Sequence, residues 1–311
     1  MWWPVMDDHQ AMFRISACTS GRAALRIAHG AREGRIAAVM RSTFYVETDN
    51  DVFCIGHEAV HLSPLNLVTT APSTTDWQAS GLRAGDRALL SNDMIRLGNR
   101  LSIDTSDTKA WSPEPVPDGW SKREMSRGLS ILRREAPNRL PDGGLGRFIC
   151  QHDLPGDDDP LCVRAAAPIQ EASDWLVDTF DSTDQSKRPS WVADLVGLGP
   201  GLTPSGDDFL AGMMIALHAV GQRRMSGHIW VQAWHCGDAA SNPISRAHLN
   251  AASAGEGNET LHRALVAVMA GQPDAIRRSL TDIAGVGHTS GWDAMAGVAL
   301  VFDAWLRRPE D

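Results

Sequence analysis

The chain has 311 residues, of which 43% are apolar and 22% charged, and its formal net charge at pH 7 is −9. This length accommodates one large domain or two, and the composition is typical of a globular protein with a substantial core. The acidic balance argues against a nucleic-acid or anionic-membrane binder, because such proteins usually need a basic face. No apolar run approaches the roughly 20 residues that span a bilayer.

The cysteines indicate a reducing compartment. An odd number of scattered cysteines without any Cys-x-x-Cys pair favours free thiols over a disulfide framework or a zinc site. The acidic beginning also lacks the basic region of a secretory signal. We therefore expect a cytoplasmic protein. The five cysteines are Cys18, Cys54, Cys150, Cys162 and Cys236.

Residues 1–110 predict a small antiparallel β-sheet or barrel. After a short helix at about 23–29, β-branched and aromatic residues dominate 36–48, and an Asp-Asn-Asp turn leads into a strand at 52–55. Such a turn between two β-like runs is typical of a hairpin. Another short strand is expected at 85–90.

Two further short strands, 94–97 and 101–103, predict a second hairpin. A two-residue loop would put their apolar residues on opposite faces, whereas a three-residue loop pairs Leu97 with Leu101 on one face. Because register follows the buried face, we expect the three-residue loop.

Residues 111–165 predict a connector that contains one helix. Three prolines between 111 and 117 exclude regular structure there, and Ser121-Lys-Arg-Glu124 is a capping box that begins a helix ending near 135. Residues 138–164, rich in glycine, proline and aspartate, predict a long surface loop. Its Gly156-Asp-Asp-Asp-Pro160 run is more typical of a solvated acidic loop than of a cation site.

Residues 166–311 predict a helical domain with short links, because helical apolar periodicity continues to the end. Asn242-Pro243 and Asn258 are typical helix starts. The predicted helices are 168–180, 191–197, 207–221, 228–240, 243–254, 258–270, 273–284 and 291–306. The fold class is therefore α+β, with a smaller N-terminal antiparallel β-sheet or barrel followed by a mainly helical C-terminal domain.

The most distinctive stretch, Leu198-Gly-Pro-Gly-Leu-Thr-Pro-Ser-Gly-Asp-Asp-Phe-Leu-Ala-Gly212, begins a helix that is apolar on nearly every side. Such a helix is normally buried, so its N-terminus brings unpaired N–H groups and a partial positive charge to a sheltered place. With glycines at 199, 201 and 206, this is typical of an anion cradle. Asp207 and Asp208 would repel an anion, so these acids either cap the helix or belong to a site.

A motif in this stretch occurs a second time. Ser205–Gly212 and Ser290–Gly297 share Ser-Gly-x-Asp-x-x-Ala-Gly, each at the start of an apolar helix. Because glycine costs stability in a helix interior, we expect the two helices to cross near Gly212 and Gly297, with both helix starts facing one cleft. The alternative is a pair of similar buried helices that merely share small-residue packing.

Two further segments are candidates for that cleft. One begins at Asn242 and carries Ser245, Arg246 and His248, and the other places His288 just before Ser290. Lone histidines are more often packing residues than catalysts. A cradle that contains acids needs a cation to hold an anion, and we expect either Arg246 or a metal such as Mg²⁺ to supply it.

The run from Gly197 to Gly212 resembles the signature of a bacterial family of long-uncharacterised proteins. Some members of that family are a subunit of the allantoin-pathway oxamate carbamoyltransferase. The segment around Ser245, the run Gly287–Asp293 and the mid-chain Trp111-Ser-Pro also match the family pattern. The resemblance implies transfer of a carbamoyl group between phosphate and an amide nitrogen, in a complex with other protein subunits.

The candidate residues suit that chemistry. A tetrahedral oxyanion could be stabilised by N–H groups at a helix start, and Asp207 or Asp208 could accept from the carbamoyl NH₂ or act as general base. Together with Ser205, these two acids are the catalytic candidates. The ligand-binding candidates are Gly199, Gly201, Thr203, Gly206, Ser245, Arg246, His288, Ser290, Gly291 and Asp293. The expected partners are a small anionic substrate and other subunits, with neither nucleic acid nor membrane.

Two other functions remain open. The Gly206–Gly212 segment also resembles the anion-hole helix of ribokinase-like phosphotransferases, in which the aspartate is the base, although the alternating strands and helices of that fold are missing. The chain could also be a non-catalytic ligand-binding or scaffolding subunit of a larger complex.

Overall fold

The computed structural model of the protein describes residues 12–150, 159–180, 182, 188–236 and 242–309. Contacts divide the chain into two compact units, residues 1–113 and residues 114–311. Each unit has its own hydrophobic core. Among the described residues, no helix has the length and apolar character needed to cross a membrane.

The first unit is a closed barrel of eight strands, with a helix α1 (Arg22–Ala28) after the first strand. Around the barrel the strands follow the order β5-β4-β3-β2-β6-β7-β8-β1, and β1 closes it by pairing with β5. A short ninth strand pairs with β1 outside this cycle. The strands are β1 (Phe13–Gly21), β2 (Arg32–Val39), β3 (Thr43–Glu47), β4 (Val52–Gly56), β5 (Asn66–Thr69), β6 (Arg87–Ser91), β7 (Met94–Leu97), β8 (Leu101–Asp104) and β9 (Lys109–Trp111).

Both predicted hairpins are present. Strands β7 and β8 pair with Leu97 opposite Leu101, so the three-residue loop is confirmed. Strands β3 and β4 form the other hairpin. The sheet is not purely antiparallel, since β1 runs parallel to β8 and β9, and β4 runs parallel to β5.

Other strand predictions need correction. The run 36–48 is divided between β2 and β3, because the chain turns where Met40 N–H donates to Thr43 O at 2.8 Å. Strands β1 and β5 were not predicted. In β1 the apolar alternation is short, since Phe13, Ile15 and Ala17 are followed by the small and polar run 18–21.

The second unit is helical, as predicted. The capping box is confirmed, since Ser121 Oγ accepts from Glu124 N at 3.2 Å and Glu124 Oε2 accepts from Ser121 N at 3.1 Å. Its helices are α2 (Lys122–Glu135), α3 (Pro160–Phe180), α4 (Val192–Leu195), α5 (Ser205–Ala219), α6 (Arg223–His235), α7 (Pro243–Ser253), α8 (Glu259–Met269), α9 (Pro273–Ile283) and α10 (Ser290–Leu306).

Two predictions about the middle of the chain were wrong. Helix α3 begins at Pro160, eight residues before the expected start, and Pro168 lies inside it. The predicted surface loop is partly core, because Leu145 and Ile149 are fully buried. Asp157 and Asp158 of the acidic run lie outside the described residues.

Helices α5 and α10 cross at the glycines of the repeated motif. A Cβ on Gly212 would lie 1.9 Å from Ala294 O, and a Cβ on Gly297 would lie 2.1 Å from Phe209 O. Phe209 and Ala294 occupy equivalent positions in the two motifs, so the contact is reciprocal. The predicted crossing is confirmed, and it places the two helix starts side by side.

Candidate functional site

The starts of α5 and α10 open onto one cavity of about 550 Å³. This volume lies within the range of small-molecule sites. Four hydroxyl side chains line the wall, namely Thr203, Ser205, Thr289 and Ser290. The remaining lining residues are Asp142, Gly143, Gly144, Asp159, Leu161, Pro200, Gly201, Leu202 and His288.

The two helix starts have matching backbone hydrogen bonds. Gly206 N–H donates to Leu198 O at 2.8 Å, and its counterpart Gly291 N–H donates to Val286 O at 3.1 Å. The next two N–H groups of each helix donate to Pro204 O in α5 and to Thr289 O in α10. No described residue accepts from the N–H of Ser205 or Ser290. Each helix start beside the cavity thus keeps one backbone donor without an acceptor among the described residues.

The carboxylates of the motif are paired crosswise with the hydroxyls. Asp208 of α5 interacts with Ser290 and Thr203, whereas Asp293 of α10 interacts with Ser205 and Thr289. Thr203 Oγ1 and Ser290 Oγ are themselves 3.1 Å apart. Each helix therefore contributes a hydroxyl in contact with the other helix's carboxylate.

Both carboxylates hold protons more tightly than usual. Burial raises the pKa of Asp208 well above its ordinary value, hydrogen bonding from Ser290 and Thr203 opposes this, and the charge of Asp293 adds to it. Burial also raises the pKa of Asp293 to about 6, against hydrogen bonds from Leu145 N–H and neighbouring groups. The Oδ2 atoms of both residues are enclosed, and none of the described residues hydrogen-bonds to them. Unpaired buried carboxylate oxygens are costly, so this pair is suited to accepting protons.

A glycine turn that the sequence analysis missed holds Asp293. Leu145 N–H donates to Asp293 Oδ1, and a Cβ on Gly144 would lie 2.6 Å from that oxygen. Gly143 and Gly144 both have positive φ, 79° and 76°, which only glycine adopts readily. The Gly-Gly pair was the available signal, but the hydrogen bond from the adjoining Leu145 to Asp293 spans 148 residues.

Asp207, like Asp208 and Asp293, is not part of the cavity wall, and its contact with a ligand stays a prediction. It is 1% exposed, its Oδ1 accepts from Gly197 N–H at 2.7 Å, and its Oδ2 accepts from Ser245 Oγ at 2.6 Å. Through these two hydrogen bonds, Asp207 ties the glycine-rich loop at Gly197 and the start of α7 at Ser245 to α5. Ser245 is likewise absent from the cavity wall.

The basic residue expected in the site is also elsewhere. The Arg246 guanidinium lies over the Trp234 ring, 4.3 Å from its centroid, and does not line the cavity. Burial lowers the pKa of His248 to about 4, and this residue too is outside the cavity wall. Neither residue lines the cavity, and anion binding by Arg246 stays a prediction.

The glycine candidates have structural roles. A Cβ on Gly206 would lie 2.0 Å from Leu195 O, and one on Gly291 would lie 2.5 Å from Ile283 O, so both allow close helix packing. Gly199, with φ 110°, brings the loop against Ser205. Of the loop glycines proposed for ligand binding, Gly201 lines the cavity. Within the described ranges, no group of three or more His, Cys, Asp or Glu residues could hold a metal ion.

Comparison with known proteins places this site within a family. A family model described as oxamate carbamoyltransferase subunit AllH matches residues 195–302, and a model of the AllH family N-terminal domain matches residues 14–110. The chain belongs to the AllH family. The AllH match contains both copies of the repeated motif, and the N-terminal match coincides with the barrel. No solved structure matches the chain.

Proposed function

We propose that this AllH-family chain supplies the carbamoyl-binding cavity of an oxamate carbamoyltransferase. The observation that carries the proposal is the convergence of two equivalent helix starts, Ser205 and Ser290, on one cavity backed by buried carboxylates. The family's description as a subunit of that enzyme supports the reaction class.

The chemistry follows from the geometry. The acceptor nitrogen attacks the carbamoyl carbon, and the carbonyl oxygen becomes an oxyanion that the N–H groups of Ser205 and Ser290 stabilise. The new C–N bond remains when the C–O bond to phosphate breaks and phosphate leaves. The proton lost by the attacking nitrogen passes through the Ser290 hydroxyl to the carboxylate of Asp208, so that atoms and charges balance.

The environment of Asp208 is suited to this step. A general base works best when its pKa is near the working pH, and burial moves the pKa of Asp208 upward from the ordinary carboxyl range. Asp293 raises it further and is itself fixed by Leu145 N–H. We therefore assign Asp208 as the base and Asp293 as a carboxylate that tunes it and accepts from the ligand's NH₂ group.

Two alternative functions differ from this proposal, the phosphotransferase in the fold that it needs and the non-catalytic subunit in the activity that it lacks. The described residues of the first unit form a closed barrel, and the second unit is helical, so neither supplies the layered α/β sheet of a ribokinase-like phosphotransferase. A non-catalytic ligand-binding subunit would use the same cavity without proton transfer. Mg²⁺ would find no group of three ligating side chains among the described residues and would need water and ligand oxygens as well.

Kinetics of the assembled enzyme test the proposal. We expect Asp208→Asn to lower kcat for carbamoylation of oxamate by about 100-fold or more, because the proton acceptor is lost. Asp174→Asn, an exposed acid on α3, is the matched control and should retain the wild-type rate. A wild-type rate in Asp208→Asn would exclude the catalytic role and favour the non-catalytic subunit.

A further inference from the structure

The charge of the cavity does not match an anionic ligand. Asp142 and Asp159 lie in its wall, and the carboxylates of Asp208 and Asp293 lie behind its hydroxyls. Among its described lining residues there is no lysine or arginine. A phosphate or carboxylate group brought here would meet like charge, which costs free energy at short range.

Arg147 is close enough to act on the Cys162 thiol, which donates to Gly144 O, but it does not line the cavity. In the parts of the chain outside the described residues, Lys187 is the only lysine or arginine. The described wall of the cavity therefore supplies no cation for the anionic end of the ligand.

We propose that a partner subunit inserts a basic side chain, arginine or lysine, at the rim of this cavity next to Asp142 and Asp159. The inference rests on the proposed function, because it assumes a ligand with both an amide end and an anionic end. The NH₂-bearing end binds at the two helix starts, and the partner's cation holds the phosphate or carboxylate. The site is thus shared between two chains.

The rim has the character of such an interface. Asp142 and His288 are exposed, and Leu202 retains 39% of its surface despite being a large apolar side chain. Acidic and apolar groups together fit a basic side chain on an apolar segment of a partner. Arginine fits best, because its planar fork can bond a rim carboxylate and the ligand anion at once.

A second observation concerns the amide end of the ligand. Asp293 is 0% exposed and its Oδ2 has no partner among the described residues. A buried carboxylate without compensation is unfavourable, and a nearby cation or NH donor removes that penalty. A basic side chain is favoured over a metal, because the described residues hold no group of three metal-ligating side chains.

Titration calorimetry of the full chain tests the proposal. Oxamate and inorganic phosphate are titrated into the isolated chain and into the assembled enzyme, each with and without Mg²⁺. We expect the assembled enzyme to bind both anions at least tenfold more tightly than the isolated chain, irrespective of Mg²⁺. Binding by the isolated chain as tight as by the assembly, or binding that requires only Mg²⁺, would overturn the proposal.

A charge-introducing variant gives a second readout. Asp142→Lys places a cation at the rim, so the isolated variant should bind phosphate at least tenfold more tightly than wild type, whereas Asp174→Lys, with the same charge change on α3, should not. In the assembly, Asp142→Lys should weaken subunit association by repelling the partner's base. Unchanged phosphate binding and unchanged association would refute the shared site. Dependence of turnover on Asp208, measured separately, reports whether the proposed reaction itself fails.

Discussion

At the residue scale, two adjacent aspartates have opposite environments. Asp207 uses both oxygens to hold Gly197 and Ser245, whereas Asp208 has an enclosed Oδ2 that no described residue satisfies. Consecutive helix residues point about 100° apart, so one carboxylate faces the supporting loops and the other faces the cavity wall. Asp207 therefore supports the architecture of the site, and Asp208 is the acid that we propose for its chemistry.

Asp293 should make stability depend on pH. Its folded-state pKa of about 6 lies above the ordinary 3.8, so between these values the native state keeps a proton that the unfolded state has released. The stability this gives is fully present below about pH 4 and is lost as pH rises through 6, about 3 kcal/mol in total.

Asp293→Asn should remove this dependence while keeping an acceptor for Leu145 N–H. Relative to wild type, the unfolding free energy of the variant should therefore rise by about 3 kcal/mol between pH 4 and pH 7. Chemical denaturation at each pH measures this difference. A difference that stays constant across the range would contradict the assigned burial of the carboxyl group.

At the element scale, the crossing of α5 and α10 builds the site. Gly212→Ala would push a methyl group to 1.9 Å from Ala294 O, which is backbone and cannot move aside cheaply. We expect a loss of about 2–3 kcal/mol in unfolding free energy, the cost of overpacking a tight core. Gly227→Ala on α6 is the matched control, since nothing lies within 4 Å of its added Cβ.

The control should gain up to about 1 kcal/mol, because alanine is the better helix former. Thermal or chemical unfolding of the two variants beside wild type measures both effects. Equal stability of Gly212→Ala and wild type would contradict the close crossing.

The same crossing shows what the sequence could and could not predict. The repeated motif predicted the contact between α5 and α10. The apolar positions around Leu97 and Leu101 predicted the hairpin register. Both predictions were possible because each feature leaves a pattern in a short stretch of sequence. The turn at Gly144 was missed because its partner Asp293 is distant in sequence. Arg246 was predicted to bind an anion because of its charge alone. In the structure its guanidinium packs over the Trp234 ring.

At the scale of the whole molecule, the chain consists of two units, and each unit has its own hydrophobic core. The barrel core and the helical core share no residues. A fragment of residues 114–311 should therefore fold by itself, since it keeps a complete core and the whole described cavity. Differential scanning calorimetry should show one cooperative transition for the fragment, and a fragment without any transition would contradict this division.

The most direct test of the site is amide hydrogen exchange at Ser205 and Ser290 in the assembled enzyme. These two N–H groups find no acceptor among the described residues, and we propose that both donate to the same ligand. Saturating carbamoyl phosphate should slow exchange at both amides at least tenfold, while the amide of Gly227 on α6 stays unchanged. Unaltered exchange at both amides, or protection of one alone, would contradict a cavity built from two equivalent helix starts.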